Sequence, residues 1–277
     1  MNIRNTLKDP RVVYPIIFIL VAAPLIQPIG LPLTISKEVR SVYDYLSQLP
    51  PESNVVAATD LQFTNWPELG GAMKAIFAYV LKRDLRLVAV EFSHLAQGTT
   101  MAEQALAEIQ IPPGNKYGVD YVNIGYIPGE EGAIASFARD MLSVAVKDAR
   151  GNSLNQLPIM KRVTTIKDIA LWISIGGYGG EYPERYLRQL QASYGTKIAS
   201  VQTAGISPGV KPYVLSGQLI GLIPSVRGSA EFEKLTGLMG QATILMDSQS
   251  LVPLFTIVAV ALANIDMFAT KLKVKKK

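Results

Sequence analysis

Both ends of the chain carry a long stretch without a charged side chain, and this constrains the fold more than any other feature. Residues 12–36 contain no Asp, Glu, Lys, Arg or His over about 25 positions, and about 20 apolar residues suffice to cross a bilayer. Residues 248–265 form a second uncharged stretch of roughly 18 positions. The pattern predicts a transmembrane helix over 12–33, a domain over 37–247 and a second transmembrane helix over 249–269.

Positive charge lies on the outer side of each predicted span. The basic residues before the first span are Arg4, Lys8 and Arg11. The tail after the second span, 270–277, contains five lysines. Because segments rich in Lys and Arg remain in the cytoplasm, we expect a cell-membrane protein with both termini cytoplasmic and the central domain extracytoplasmic. The alternative for the first stretch is a cleaved signal peptide, but the apolar run continues past the small-residue site at 21–23.

Composition narrows the range of functions. The formal net charge of +5 arises from the terminal groups, so the central domain is near neutral and no nucleic-acid-binding face is predicted. The chain has no cysteine, which excludes disulfides, thiolate metal sites and a cysteine nucleophile. The single histidine, without a second histidine or a cysteine, makes a poor metal site. No cofactor and no metal are predicted.

Short apolar runs alternate with amphipathic stretches between the spans, which is typical of an α/β fold. The first pair is a strand over 54–60 and a helix over 66–83. Further strands are predicted over 86–92, 119–126, 168–175 and 197–203, and further helices over 100–110, 130–141 and 183–194. Because such repetition requires right-handed crossovers, it predicts a mostly parallel, Rossmann-like sheet with flanking helices.

Residues 207–245 depart from this alternation because they are rich in glycine. Gly217 and Gly221 are spaced four apart, a spacing that lets backbones approach closely. One interpretation is an interface with another subunit or with the membrane. The other is a pair of helices that covers the edge of the sheet.

One motif has the form of a serine nucleophile elbow, Gly205-Ile206-Ser207-Pro208-Gly209. The elbow uses the backbone N–H after the serine to stabilise an oxyanion, and Pro208 has no N–H. Pro208, Gly209 and Pro212 moreover predict a loop where the elbow requires a helix. The motif therefore does not predict a serine hydrolase.

A glycine run, 176–180, follows a predicted strand and precedes a predicted helix, which is where phosphate-binding loops occur. Gly177 and Gly179 are the candidate ligand-binding residues. The dinucleotide fingerprint requires a further glycine that is absent, and Glu181 would repel a pyrophosphate. The alternative is a turn that needs a positive φ angle.

Polar side chains recur at the carboxyl ends of the predicted strands, where ligands bind in open α/β sheets. These candidates for one ligand-binding site are Asp60, Glu91, His94, Tyr126 and Glu130. A hard cation or a cationic ligand would suit such a group. The alternative for Glu130 is electrostatic, because acidic residues stabilise the first turn of a helix.

Three runs resemble a family of prokaryotic membrane proteins without a known activity. They are Asp120-Tyr121-Val122-Asn123-Ile124-Gly125-Tyr126, Ser216-Gly217-Gln218-Leu219-Ile220-Gly221 and Ala230-Glu231-Phe232-Glu233. The resemblance implies a span at each end and an α/β domain between them, and it implies no catalytic residue.

Two functions fit these observations. The first is a membrane-anchored, non-enzymatic subunit or scaffold whose α/β domain assembles with itself or with other membrane proteins, in contact with membrane lipid. The second is a membrane-tethered ligand-binding or hydrolytic domain that uses the crevice at the strand ends.

Overall fold

The computed structural model describes residues 9–177 and 181–275 of the 277-residue chain. The chain divides into two compact units. One unit contains residues 33–242, and the other combines the segment up to Pro32 with the segment from Thr243.

The described helices and strands, in chain order, have the following bounds. The strands are β1 (Asn54–Asp60), β2 (Arg86–Glu91), β3 (Tyr121–Tyr126), β4 (Ile169–Gly176), β5 (Ile198–Gln202) and β6 (Gly221–Pro224). The helices are α1 (Pro10–Ile26), α2 (Lys37–Gln48), α3 (Trp66–Lys82), α4 (Gly98–Glu108), α5 (Glu130–Arg139), α6 (Met141–Val144), α7 (Glu181–Tyr186), α8 (Ala192–Tyr194), α9 (Ser207–Leu215), α10 (Ser225–Thr236) and α11 (Gln241–Lys275). A π turn, Leu187–Gln191, joins α7 to α8.

The strands form one parallel sheet in the order β3-β2-β1-β4-β5-β6. The predicted α/β class with a mostly parallel sheet is confirmed. The order is that of a doubly wound sheet, in which the chain first builds outward from β1 in one direction and then from β4 in the other. The switch point therefore lies between β1 and β4.

Helices cover both faces of the sheet, and β1 shows why. All seven of its residues are buried, because successive side chains enter opposite cores. Val55 and Ala57 pack into a core with α2, α3, α4 and α10. Val56 and Ala58 pack into a second core with α5 and the segment from Tyr186 to Leu190.

Among the described elements of this unit, five lie outside the predicted set: α2, α6, β6, α9 and α10. The predicted loop over 208–212 is wrong, since Pro208 occupies the first turn of α9, where a missing N–H costs nothing. Residues 221–224 form the edge strand β6 between the helices α9 and α10, an element that neither interpretation of this segment includes. A strand of four residues that contains Gly and ends in Pro gives little strand signal.

The second unit contains α1 and most of α11. One helical segment, Gln241–Phe268, is long and apolar enough to cross a membrane. α1 is shorter, with 17 residues, because the helix ends at Ile26 and Gln27 adopts an extended backbone before Pro28. The structure therefore supports one span by length and composition, where the sequence predicts two.

The carboxylate of Asp247 holds this unit together. It accepts hydrogen bonds from three consecutive backbone N–H groups, those of Ile29 and Gly30 at 2.8 Å and that of Leu31 at 2.9 Å. The hydroxyl of Ser248 donates to the carbonyl oxygen of Val21 at 3.1 Å. The segment that follows α1 is thus fixed to α11.

Candidate functional site

The carboxyl ends of β1, β2 and β4 are the first place to look for a site, because the switch point of a doubly wound sheet opens there. Asp60 ends β1, Glu91 ends β2 and Gly176 ends β4. We name Asp60 and Glu91 the strand-end carboxylates; they are 1% and 0% exposed. Their burial means that their hydrogen-bond partners decide what they do.

Asp60 binds the protein's own backbone and one tyrosine. Its Oδ1 accepts from the N–H of Phe92 at 2.8 Å, and its Oδ2 accepts from the hydroxyl of Tyr186 in a short hydrogen bond. The pKa of Asp60 is raised to about 7, mainly by burial and in smaller part by the nearby charge of Glu91, while the hydrogen bonds from Tyr186 and Phe92 limit the rise. Tyr186 is itself fully buried against Trp172, with ring centroids 5.0 Å apart.

Glu91 caps the helix that follows it. Its Oε1 accepts from the N–H of Gly98 at 2.9 Å, and its Oε2 accepts from the N–H and hydroxyl of Thr99 at 2.7 and 2.8 Å. A side chain at Gly98 would collide with the carbonyl oxygen of Thr59, so glycine allows α4 to begin directly against β1. Burial raises the pKa of Glu91, and the bonds from Gly98 and Thr99 oppose that rise. The carboxylate takes the place that an external anion would occupy.

The three remaining strand-end candidates are more exposed. His94 and Glu130 lie together, with 4.0 Å between His94 Nδ1 and Glu130 Oε1. Glu130 also accepts from Arg185 at 2.9 Å, and its φ angle of 47° is unusual for a residue with a side chain. Tyr126 pairs with Glu91 across the sheet and is 38% exposed. The structure thus separates the five candidates into two buried carboxylates, an exposed His94–Glu130 pair, and Tyr126, which is exposed at the end of β3.

The glycine run after β4 is described only in part. Gly176 ends the strand, and a side chain at Gly177 would meet the amide group of Asn65 at 2.5 Å. The loops after β1 and β4 therefore touch at the switch point. Gly179 lies outside the described residues.

The turn after β1 does not resemble a dinucleotide site. α3 begins with Trp66-Pro67-Glu68 and has no glycine in its first three residues. The Glu68 carboxylate accepts from the N–H of Ala204, after β5. A carboxylate in this first turn would repel a pyrophosphate at the position where doubly wound folds bind one.

Ser207 begins α9 directly after β5 and the short turn that follows it. Its hydroxyl donates to the carbonyl oxygen of Thr203 at 2.8 Å, and the residue is 8% exposed. His94 follows β2, three strands away in the sheet from β5. Neither placement supplies the exposed nucleophile and adjacent base of a serine hydrolase.

The two glycines proposed for an interface have different surroundings. Gly217 lies in a turn with φ 78°, and a side chain there would meet nothing within 4 Å. Gly221 begins β6 and packs against the backbone of Glu38 and the side chain of Val42 in α2. The close approach at Gly221 is therefore made with the protein's own helix.

Sequence reasoning missed the group of residues that fixes the first end of the 33–242 unit. Glu231 in α10 is 2% exposed and accepts from the N–H and hydroxyl of Ser36, at 2.8 and 2.6 Å. Lys234 donates to the carbonyl oxygen of Leu33 at 3.1 Å. These bonds tie the first residues of the unit to α10.

The same helix also holds the last residues of the unit. Glu233 is 2% exposed and accepts from the N–H of Gly240 at 2.9 Å and from that of Ala242 at 3.0 Å. We name Glu231, Glu233 and Lys234 the α10 clasp. The signal was present in the run Ala230-Glu231-Phe232-Glu233, where two acidic residues alternate with apolar ones in a helix.

Among the described residues, no group of three or more His, Asp or Glu side chains is placed to hold a metal ion. A scan against known protein families, a search of curated proteins and a search of solved structures each find no match to this chain. The resemblance noted from the sequence therefore rests on its three motifs alone.

Proposed function

We propose that this protein is a non-enzymatic subunit of a membrane assembly, whose α/β unit is held outside the cytoplasm by a span at each end. The observation that carries the proposal is the α10 clasp. Glu231 and Lys234 bind the chain where the unit begins, and Glu233 binds it where the unit ends. Because one helix fixes both ends, the apolar segments continue from points close together, which suits a domain anchored twice.

The proposed second span is α1. Its 17 residues reach the lower limit of about 17–25 for a transmembrane helix. Asp247 and Ser248 join α11 to the segment that follows α1 and to α1 itself, which favours a helical pair over a detached leader. The Lys and Arg residues at both termini favour their retention in the cytoplasm.

A single cysteine tests this topology. The natural chain has none, so Gln156→Cys, at an exposed site on a short turn, introduces a unique thiol. We expect an impermeant maleimide to label it in intact cells. Labelling only after lysis would reverse the proposed orientation.

Assembly is tested by native mass measurement in mild detergent. Leu215, two residues before Gly217, is 78% exposed and is our candidate for the contact with another subunit. We expect Leu215→Glu to yield smaller species with an unchanged circular dichroism spectrum. Val146→Glu is the matched control, because Val146 is 73% exposed elsewhere on the unit. A monomeric natural protein would contradict the assembly proposal.

The second candidate is a ligand-binding or hydrolytic domain at the strand ends, and the exposed His94–Glu130 pair favours it. Backbone strain at a non-glycine residue such as Glu130 is concentrated at functional sites. A small molecule that co-purifies with the protein and is lost in His94→Ala would support this candidate over the first.

A further inference from the structure

A cavity of about 420 Å³ lies beyond the carboxyl end of β6, where α2, α9 and α10 begin. Its volume falls within the range of about 300–1,000 Å³ that ligand pockets occupy. Its apolar lining comes from Ala204, Pro208, Leu222 and Pro224. Such a cavity, apolar inside with a few charged groups, is the usual form of a small-molecule site.

The charged groups of the cavity form two ion pairs. Lys211 contacts Glu38 at 3.1 Å, and Arg227 contacts Glu231 at 3.1 Å. The side chains of Lys211 and Arg227 are 56% and 62% exposed, whereas those of Glu38 and Glu231 are 24% and 2% exposed. The cations therefore face solvent and the carboxylates lie behind them, so the rim of the cavity is positive.

Glu231 is already committed to other donors, because it accepts from the N–H and hydroxyl of Ser36 as well as from Arg227. The guanidinium of Arg227 donates to Glu231 through Nε, and its two outer nitrogens are further donors on a side chain that is 62% exposed. A ligand anion can therefore bind Arg227 without displacing the bonds that hold Ser36.

The backbone at the wall of the cavity is strained. Ser225, the first residue of α10, has φ 56°, and Gly228 packs closely against Pro224. Strain of this kind at a non-glycine residue persists where the surrounding structure fixes it, as at ligand clamps.

We infer that this cavity binds an anionic phospholipid, with Lys211 and Arg227 contacting the phosphate and the apolar lining enclosing the adjoining glycerol and acyl carbons. The positive rim selects for the phosphate, and the apolar interior selects against a free phosphate ion. The inference rests on the proposed membrane attachment, which supplies the lipid. It adds a binding site to a subunit otherwise proposed only as a scaffold.

The test uses the full chain in a neutral detergent and measures binding by native mass spectrometry. The probes are dihexanoyl phosphatidylglycerol, dihexanoyl phosphatidylcholine and glycerol 1-phosphate, which vary net charge and acyl chains separately. We expect saturable binding of phosphatidylglycerol that is at least tenfold tighter than binding of the other two.

Two variants locate the site. Lys211→Gln with Arg227→Gln should weaken phosphatidylglycerol binding roughly 10- to 30-fold, because each cation contributes about 1 kcal/mol toward an anionic headgroup. Ala204→Trp should abolish binding, because the larger side chain fills the cavity. Ala204 is exposed, and its substitution leaves Lys211 and Arg227 unchanged. The controls, Lys161→Gln with Lys167→Gln and Gln156→Trp, change exposed residues away from the cavity and should bind as the natural protein does.

Three results would overturn the inference: no saturable binding, equal affinity for glycerol 1-phosphate, or losses in the controls as large as in the cavity variants. These results are independent of the maleimide experiment. If the thiol is labelled in intact cells but no lipid binds, only the proposed lipid site is contradicted. If labelling requires lysis, only the proposed topology is contradicted.

Discussion

The strand-end carboxylates and the α10 clasp make the same kind of hydrogen bond but stabilise different parts of the fold. In both, buried carboxylates accept hydrogen bonds from backbone N–H groups of the same chain. Glu91 binds residues 7 and 8 positions away, so its bonds fix the connection between β2 and α4. Glu231 binds a residue 195 positions away, so its bonds fix where the chain joins the unit. An acidic residue at a strand end is thus no sign of a ligand until its own partners are known.

The sharpest test of the strand-end arrangement is Gly98→Ala. The added methyl group would overlap the Thr59 carbonyl oxygen, and neither backbone can move away without breaking the sheet. We expect a loss of more than about 3 kcal/mol in the free energy of unfolding, measured by thermal unfolding in detergent. Gly132→Ala, in α5 with open space around it, should instead stabilise by up to about 1 kcal/mol. Equal midpoints for the two variants would contradict the close packing of α4 on β1.

Glu91→Ala tests whether this carboxylate is structural. It removes the acceptor of the buried N–H of Gly98 and of the half-buried N–H of Thr99. We expect a loss of about 2–3 kcal/mol in global stability, seen as a lower unfolding midpoint in urea. An unchanged midpoint with loss of a bound ligand would show that Glu91 serves a site instead.

Glu231→Ala should act locally, in contrast to Glu91→Ala. Ser36 loses the acceptor of its N–H and hydroxyl, while β1 keeps all its neighbours. We expect a loss of about 1–2 kcal/mol, with faster amide hydrogen exchange at 36–40 and unchanged exchange at 54–60. Uniformly faster exchange across the sheet would mean that the α10 clasp is part of the global fold and not a local tether.

The buried Asp60 predicts a pH dependence with a definite sign. Its pKa rises from 3.8 to about 7 on folding, so between these values the folded protein binds more protons than the unfolded chain. The free energy of unfolding should therefore fall as the pH rises through this window, by up to about 1.4 kcal/mol per pH unit. Asp60→Asn removes the titration and should flatten this part of the profile. A profile of the same slope in both proteins would assign the dependence to another group.

The sequence predicts the strands β1 to β5 and misses β6, which is one of the two edge strands of the sheet. β1 has the predicted bounds, because its uninterrupted apolar run can only be buried on both faces. β6 has only four residues between a turn and α10, and its pairing with β5 depends on a crossover through α9 that two prolines conceal. The strand order likewise depends on long-range packing that no local pattern records.

Local patterns place the candidate site residues without revealing their partners. Asp60 and Glu91 do end strands, as predicted, and the structure shows that these two strands are neighbours. The hydroxyl that binds Asp60 belongs to Tyr186, 126 positions further along the chain, so composition near Asp60 could not identify it. The same holds for Glu231 and Ser36, whose pairing appears only once the two ends of the unit meet.

The bonds between Asp247 and the three amides at 29–31 have a consequence for biogenesis. Asp247 is synthesised 216 to 218 residues after its donors, about 10–40 s later at ribosomal rates of roughly 5–20 residues per second. During that interval α1 has left the ribosome, but its partner helix does not yet exist. Most of residues 33–242 is synthesised in this interval and can begin to fold as it emerges. The first helix therefore waits without its partner for as long as the domain takes to be made, and a chain that ends before Asp247 would keep that helix unpaired.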